Sequence, residues 1–254
     1  MSLSATDYLL WVISSVLLVL TCGTVLKRKL VYEYPVFFAY AAFHVLRTAV
    51  LFTIHLLQLQ HRMGYADYFY AYWTTQAVSI VLGFAVIYEI YCGVFQHYDA
   101  LQRMGGILFA CAGIALLVLA VWTAVSAPGA ETPGVVRAVL LLERSVRVMQ
   151  CGLVLFLFLA SFYFGLPWQD YRFGVALGFG VFASIELAAV AVRSHMGASV
   201  AVACSQINSA AYSSGVMIWL CYMLAPKPAL QYAGVVQHND LEKWNQALLE
   251  ILER

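Results

Sequence analysis

Charge is what this sequence has least of. Among 254 residues only 14 are Lys or Arg and 13 are Asp or Glu, or 11%, against about 25% in an ordinary soluble domain. So little charge excludes a soluble globular enzyme and a disordered chain. A formal net charge of +1 also excludes a nucleic-acid binder. Disulfides are not signalled: Cys22, Cys92, Cys111, Cys151, Cys204 and Cys221 all fall in apolar runs and read as small buried hydrophobes. Proline is absent from the interior of every long apolar segment. Pro35, Pro128, Pro133, Pro167, Pro226 and Pro228 sit at or beyond segment ends, so the broken helices that carry ions in many transporters are not signalled.

Other absences remove particular chemistries. Lys27, Lys29, Lys227 and Lys243 all lie outside the apolar segments, which excludes a retinal Schiff base in mid-membrane. Asp7, Asp67, Asp99, Asp170 and Asp240 lie at ends, in loops or in the tail, so an intramembrane aspartyl protease lacks its acids. His44 and His55 share one segment, while His61, His97, His195 and His238 sit at ends or in the tail. That arrangement gives little support to a haem held between facing helices. There is no zinc-protease His-Glu-x-x-His, no Gly-x-Ser-x-Gly elbow and no phosphate-cradling glycine loop. With no nucleophile–base set or metal cluster, an enzyme is the least supported class, and no cofactor or metal is expected.

What is present is apolar surface in long runs. The chain is 63% hydrophobic, and positions 8–26, 68–88, 104–130, 148–169 and 194–226 are free of Asp, Glu, Lys and Arg. A helix rises about 1.5 Å per residue and needs roughly 20 residues to cross the hydrocarbon. Two further segments, 35–57 and 173–193, are long enough but hold Arg47 and Glu186. The expected spans are 8–26, 35–57, 68–95, 105–125, 138–164, 173–193 and 199–224. The fold class is therefore all-α, a polytopic seven-helix transmembrane bundle over 1–226 with a tail at 227–254.

Basic residues orient it. Lys27, Arg28, Lys29, Arg103, Arg172 and Lys227 fall on one side, and Arg62, Arg137 and Arg193 on the other. The positive-inside tendency puts the N-terminus outside and the C-terminus in the cytoplasm, in a plasma or inner membrane. The absence of a basic residue before the first apolar run argues for a retained anchor and against a cleaved signal. Trp11, Tyr32, Tyr70, Trp122 and Trp168 near segment ends suit the interfaces. In the tail, Leu241, Trp244, Leu248 and Ile251 recur at helical spacing. They predict an amphipathic helix that lies on the membrane, packs under the bundle or docks a cytoplasmic protein.

Ionisable residues inside spans point to function by default, because an unpaired one is costly there. Arg47, 12 residues past Pro35, lies roughly 18 Å in, near mid-membrane. His55, Gln76, Glu143, Arg144, Arg147 and Glu186 share the outer half. Arg47, His55, Gln76, Glu143, Arg147 and Glu186 are thus the candidate ligand-binding layer. Glu143 and Arg147, four apart, are also spaced to satisfy each other. A weak repeat offers another organisation. Arg47 recurs as Arg147, and Glu89, six past Gly83, recurs as Glu186, six past Gly180. Three helices mapped onto the next three would be inverted repeats, and they predict ion pairs Arg47–Glu89 and Arg147–Glu186. Small residues at Gly174, Gly178, Gly180 and Ser184, and at Ser205, Ser209, Ser213 and Gly215, give each of the last two spans a strip for close packing, within the bundle or between copies.

The layout of seven helices is shared with G-protein-coupled receptors and with small sugar transporters of two three-helix repeats. The receptor's acid–Arg–Tyr triplet, its Asn-Pro motif and the transporters' intrahelical prolines are all missing. Three functions remain open: a protein binding or sensing a small ligand, an anionic one included, in the outer polar layer, a small permease, or a structural or assembly subunit.

Overall fold

The computed structural model describes residues 5–59, 65–96, 99–125, 134–164, 171–196 and 200–225. The tail helix expected within 239–254 and most of the loop at 127–134 lie outside the described residues. The described residues form seven α-helices and no strand: α1 (Ala5–Lys27), α2 (Pro35–Leu59), α3 (Tyr65–Val94), α4 (Asp99–Val125), α5 (Gly134–Phe164), α6 (Tyr171–Met196) and α7 (Ala201–Leu224). Between α1 and α2 the chain turns through a short 3-10 segment, Leu30–Tyr32. Lys29, in the left-handed region at φ 58°, ends the first helix there.

Among the described residues, five helices are long and apolar enough to cross a membrane, over Leu9–Lys27, Pro35–Ile54, Asp67–Val94, Gln102–Thr123 and Tyr171–Arg193. The other two carry polar side chains in their described parts. α5 gathers Arg137, Glu143, Arg144 and Arg147 in its first half, and α7 carries Gln206, Asn208 and a run of serines. Many of those hydroxyls need nothing from outside. Ser209, Ser213 and Ser214 each donate to the carbonyl four residues back, as Ser14 and Thr21 do on α1.

Helix contacts close a ring in the order α1–α2–α3–α5–α6–α7, with α7 packed back on α1. Outside this ring α4 lies against α3 and α5, and it shows bulky apolar side chains such as Leu108, Val118 and Val121 on its free face. In water such a face would drive association; in lipid it is the solvated face.

The tightest interface is α6 on α7, where the small residues of the two helices meet. A Cβ added at Gly178 would meet the Gly215 carbonyl oxygen at 2.7 Å, and one added at Gly215 would meet the Gly178 oxygen at 2.9 Å. Only glycine lets these two backbones approach so closely. Above them an aromatic knot fills the ring. Phe179 and Trp219 lie 4.7 Å apart, Phe37 and Trp219 5.4 Å, and Tyr40 and Phe179 5.2 Å. The buried Trp219 indole donates to the Val175 carbonyl at 3.0 Å, which leaves no orphaned donor.

Candidate functional site

Polar side chains from five helices meet inside the ring, on the side away from the α1–α2 turn. Glu143 and Arg147 stand one turn apart on α5. The Gln76 amide of α3 donates to Glu143 Oε1 at 2.5 Å, and Arg147 Nη2 lies 3.7 Å from the same oxygen. Arg147 Nε approaches Glu186 Oε2 of α6 at 2.5 Å, an ion pair without hydrogen-bond alignment. Arg147 Nη1 donates to Gln150 Oε1 at 3.0 Å, and its guanidinium carbon sits 4.4 Å from the Phe182 ring centre. One arginine thus holds two carboxylates, an amide oxygen and an aromatic face. With side chains only 14–18% exposed, these contacts act in a low dielectric.

Arg47 stands differently. Its guanidinium carbon lies 5.4 Å from the Tyr72 ring centre, a cation–π contact. No described carboxylate comes within ion-pair distance of it, and its Nε has no partner. Tyr72 and Gln76 are one turn apart on α3, so Arg47 from α2 and Glu143 from α5 meet that helix one turn apart. Their charges interact without touching. The group Glu143–Arg147–Glu186 carries one excess negative charge, and Arg47 is the separated counter-charge.

Beside them runs an aromatic and hydroxyl wall that sequence reasoning left out. Ser79 Oγ and His44 Nε2 share a hydrogen bond of 2.7 Å. His44 stacks between Tyr40, at 4.5 Å, and Tyr212, at 5.9 Å. Tyr212 also meets Phe182 at 5.4 Å. In the sequence Tyr212 is marked by depth, 11 residues inside α7, where an interfacial role does not apply; Tyr40, five residues past Pro35, carries no such mark. Gln150, only 1% exposed, keeps its Nε2 unpartnered, and a Cβ at Gly83 would meet it at 3.7 Å. Of the six residues expected to form the layer, Arg47, Gln76, Glu143, Arg147 and Glu186 come together. His55 is on α2, but its side chain is outside the described part of the structure.

The second expected ion pair, Arg47–Glu89, does not form. Glu89 accepts hydrogen bonds from the backbone N–H groups of Val36 and Phe37, both at 2.8 Å, and so caps the start of α2. Arg47 is ten residues beyond Phe37, roughly 15 Å further along the helix, out of reach of that carboxylate. The correspondence of Glu89 with Glu186 that an inverted repeat needs is therefore not kept in their partners. A second clamp lies at the same end of the bundle. Arg28 donates to the carbonyls of Leu224 and Ala225, both at 2.5 Å, and its Nη1 lies 3.4 Å from the Tyr171 hydroxyl.

No group of three or more His, Cys, Asp or Glu side chains able to hold a metal occurs among the described residues. Comparison with protein-family models, with curated proteins and with solved structures finds no match to this chain.

Proposed function

We propose that the chain is a multi-pass membrane protein whose seven helices all cross the bilayer, N-terminus outside, and that it binds a small polar ligand in the layer inside its ring. The observation that carries this reading is the separated pair. Arg47, near mid-span, has no described carboxylate in contact, while Glu143 of α5, held by Gln76 one turn along α3 from Tyr72, belongs to a group with one excess formal negative charge. Opposite charges held apart in a low dielectric are stabilised by a molecule that spans them. The ligand that fits presents an anionic or carbonyl oxygen to Arg47 and an N–H or O–H donor to Glu143. Amino acids and related zwitterions have that character. The tyrosines and His44 would supply its aromatic wall. In this reading the 227–254 segment links the bundle to a cytoplasmic protein.

A second reading has one specific observation in its favour. Gln76, Glu143, Arg147, Gln150 and Glu186 largely satisfy one another, as glue between helices of a structural or assembly subunit would. Thermal unfolding of the purified protein against a panel of small amino and hydroxy acids separates the two. Ligand binding predicts a concentration-dependent rise in Tm for a subset of the panel, lost in Arg47→Gln and kept in Arg144→Gln. A flat response across the panel favours the structural subunit.

A further inference from the structure

On the outer flank of the ring, α4 and α5 leave a groove of about 440 Å³ between them. Ala112, Ala115 and Leu116 line it from α4, and Arg144, Val148 and Met149 from α5, with the Ser145 hydroxyl among them. Adjacent residues of α5 thus face opposite ways. Glu143 turns into the ring, whereas Arg144 is exposed on the outside and has no ion pair among the described residues. Arg144 is ten residues in from Gly134, roughly 15 Å along the helix. The groove lies level with the middle of the apolar stretch of α4, since Leu116 is seven residues, roughly 10 Å, short of Thr123. On the reading that α5 crosses the membrane, a guanidinium at that depth facing hydrocarbon is costly unless something anionic comes to it.

We propose that this groove is a binding site for a phospholipid with a net anionic headgroup, its phosphate drawn in to Arg144 and one acyl chain laid along the alanines, Leu116, Val148 and Met149. Three observations favour lipid over a second protein helix. The groove has the volume of a small-molecule site. It contains the one charge on an otherwise apolar lining, which is the pattern of an amphiphile with a head and a chain. One turn to either side of Ala112 and Ala115, Leu108 and Leu119 project from α4, 60% and 50% exposed. Those side chains hold a helix backbone away from the alanine notch, whereas a flexible chain can enter between them. Arginine suits the role because its stem packs on apolar surface while its fork binds phosphate oxygens in pairs.

The test uses the full-length protein in nanodiscs of equal phosphatidylglycerol and phosphatidylcholine, with retained lipids counted by native mass spectrometry. The wild type is expected to retain phosphatidylglycerol over phosphatidylcholine by about five-fold, the worth of one basic residue at an anionic surface. Arg144→Gln should abolish the preference, and Ala115→Phe, which fills the groove, should lower retention of both lipids. Because both positions are exposed, neither change disturbs the core. An unchanged preference in Arg144→Gln overturns the site, as do lipid-free dimers in the wild-type spectra, which would assign the groove to a second copy. Labelling of Val148→Cys by a water-soluble maleimide, above the wild-type background, tests the premise separately. Ready reaction overturns the crossing of α5; protection together with no lipid preference overturns the groove alone.

Discussion

Glu89 and Glu186 are the same residue type, each six positions past a glycine on a long apolar helix, yet they bind different things. Glu89 takes two backbone N–H groups, and Glu186 takes a guanidinium. The difference is position. Glu89 lies level with the start of α2, where the first turn has N–H groups without helical partners and a positive dipole end. Glu186 lies in mid-bundle, where every neighbouring backbone group is already committed to its own helix and only another side chain can answer a charge. Arg28 repeats the lesson with the opposite sign, since it caps the end of α7, where carbonyls are left over. At the clamped end of the bundle the backbone chooses the partner; inside the ring, side chains must.

That contrast should appear as a ranking of stabilities. Arg147→Met strands Glu143 and Glu186 without their shared counter-ion, and breaking a buried pair in this way costs about 3–5 kcal/mol. The expected result in detergent is the largest fall in Tm of the series. A loss below that of the end clamps would remove the distinction drawn here. Glu89→Ala orphans two N–H groups at one cap and should cost about 1–2 kcal/mol, with Glu89→Gln recovering part of it because one acceptor remains. Equal losses in the two variants would mean that the carboxylate charge, not its accepting oxygens, holds α2. Arg28→Ala should cost only about 1 kcal/mol, because water can reach the carbonyls it leaves. The smallest effect is the sharpest. Glu186 lies 15 residues, roughly 22 Å, along α6 from Tyr171, which Arg28 approaches. Arg28→Ala and Glu186→Gln should therefore add within about 0.5 kcal/mol in a double-mutant cycle. A larger coupling would show that the end clamp and the interior layer move as one unit.

Much of this arrangement is legible in one dimension, for identifiable reasons. Helix existence follows from apolar run length, whereas small residues such as Gly178 and Gly215 mark faces for close packing without saying which helix meets them. The i,i+4 spacing of Glu143 and Arg147 puts them on one face in any helix. Arg147–Glu186 was reachable because both residues sit at comparable depth on helices adjacent in sequence. Arg47–Glu89 failed on the same kind of estimate, since Glu89 lies about one helical turn from the level of Pro35 and Arg47 about three and a half turns inside. Tyr72, whose ring Arg47 meets, stands near the end of its apolar segment and has the position of an interfacial aromatic. The inward and outward facing of Glu143 and Arg144 depended on where α4 packs, which nothing along α5 reveals.

That the chain is a bundle of apolar helices with a handful of charges kept inside follows from its residues alone. Composition, run length and spacing act along the chain and need no knowledge of neighbours. Which charge meets which group is settled by packing. That choice depends on the relative height and rotation of helices whose partners are far apart in sequence, as with Ser14 and Ser213, 199 positions apart and 2.7 Å from oxygen to oxygen. A polar group in this interior is answered by whatever stands at its own level, and level is a property of the packed ring.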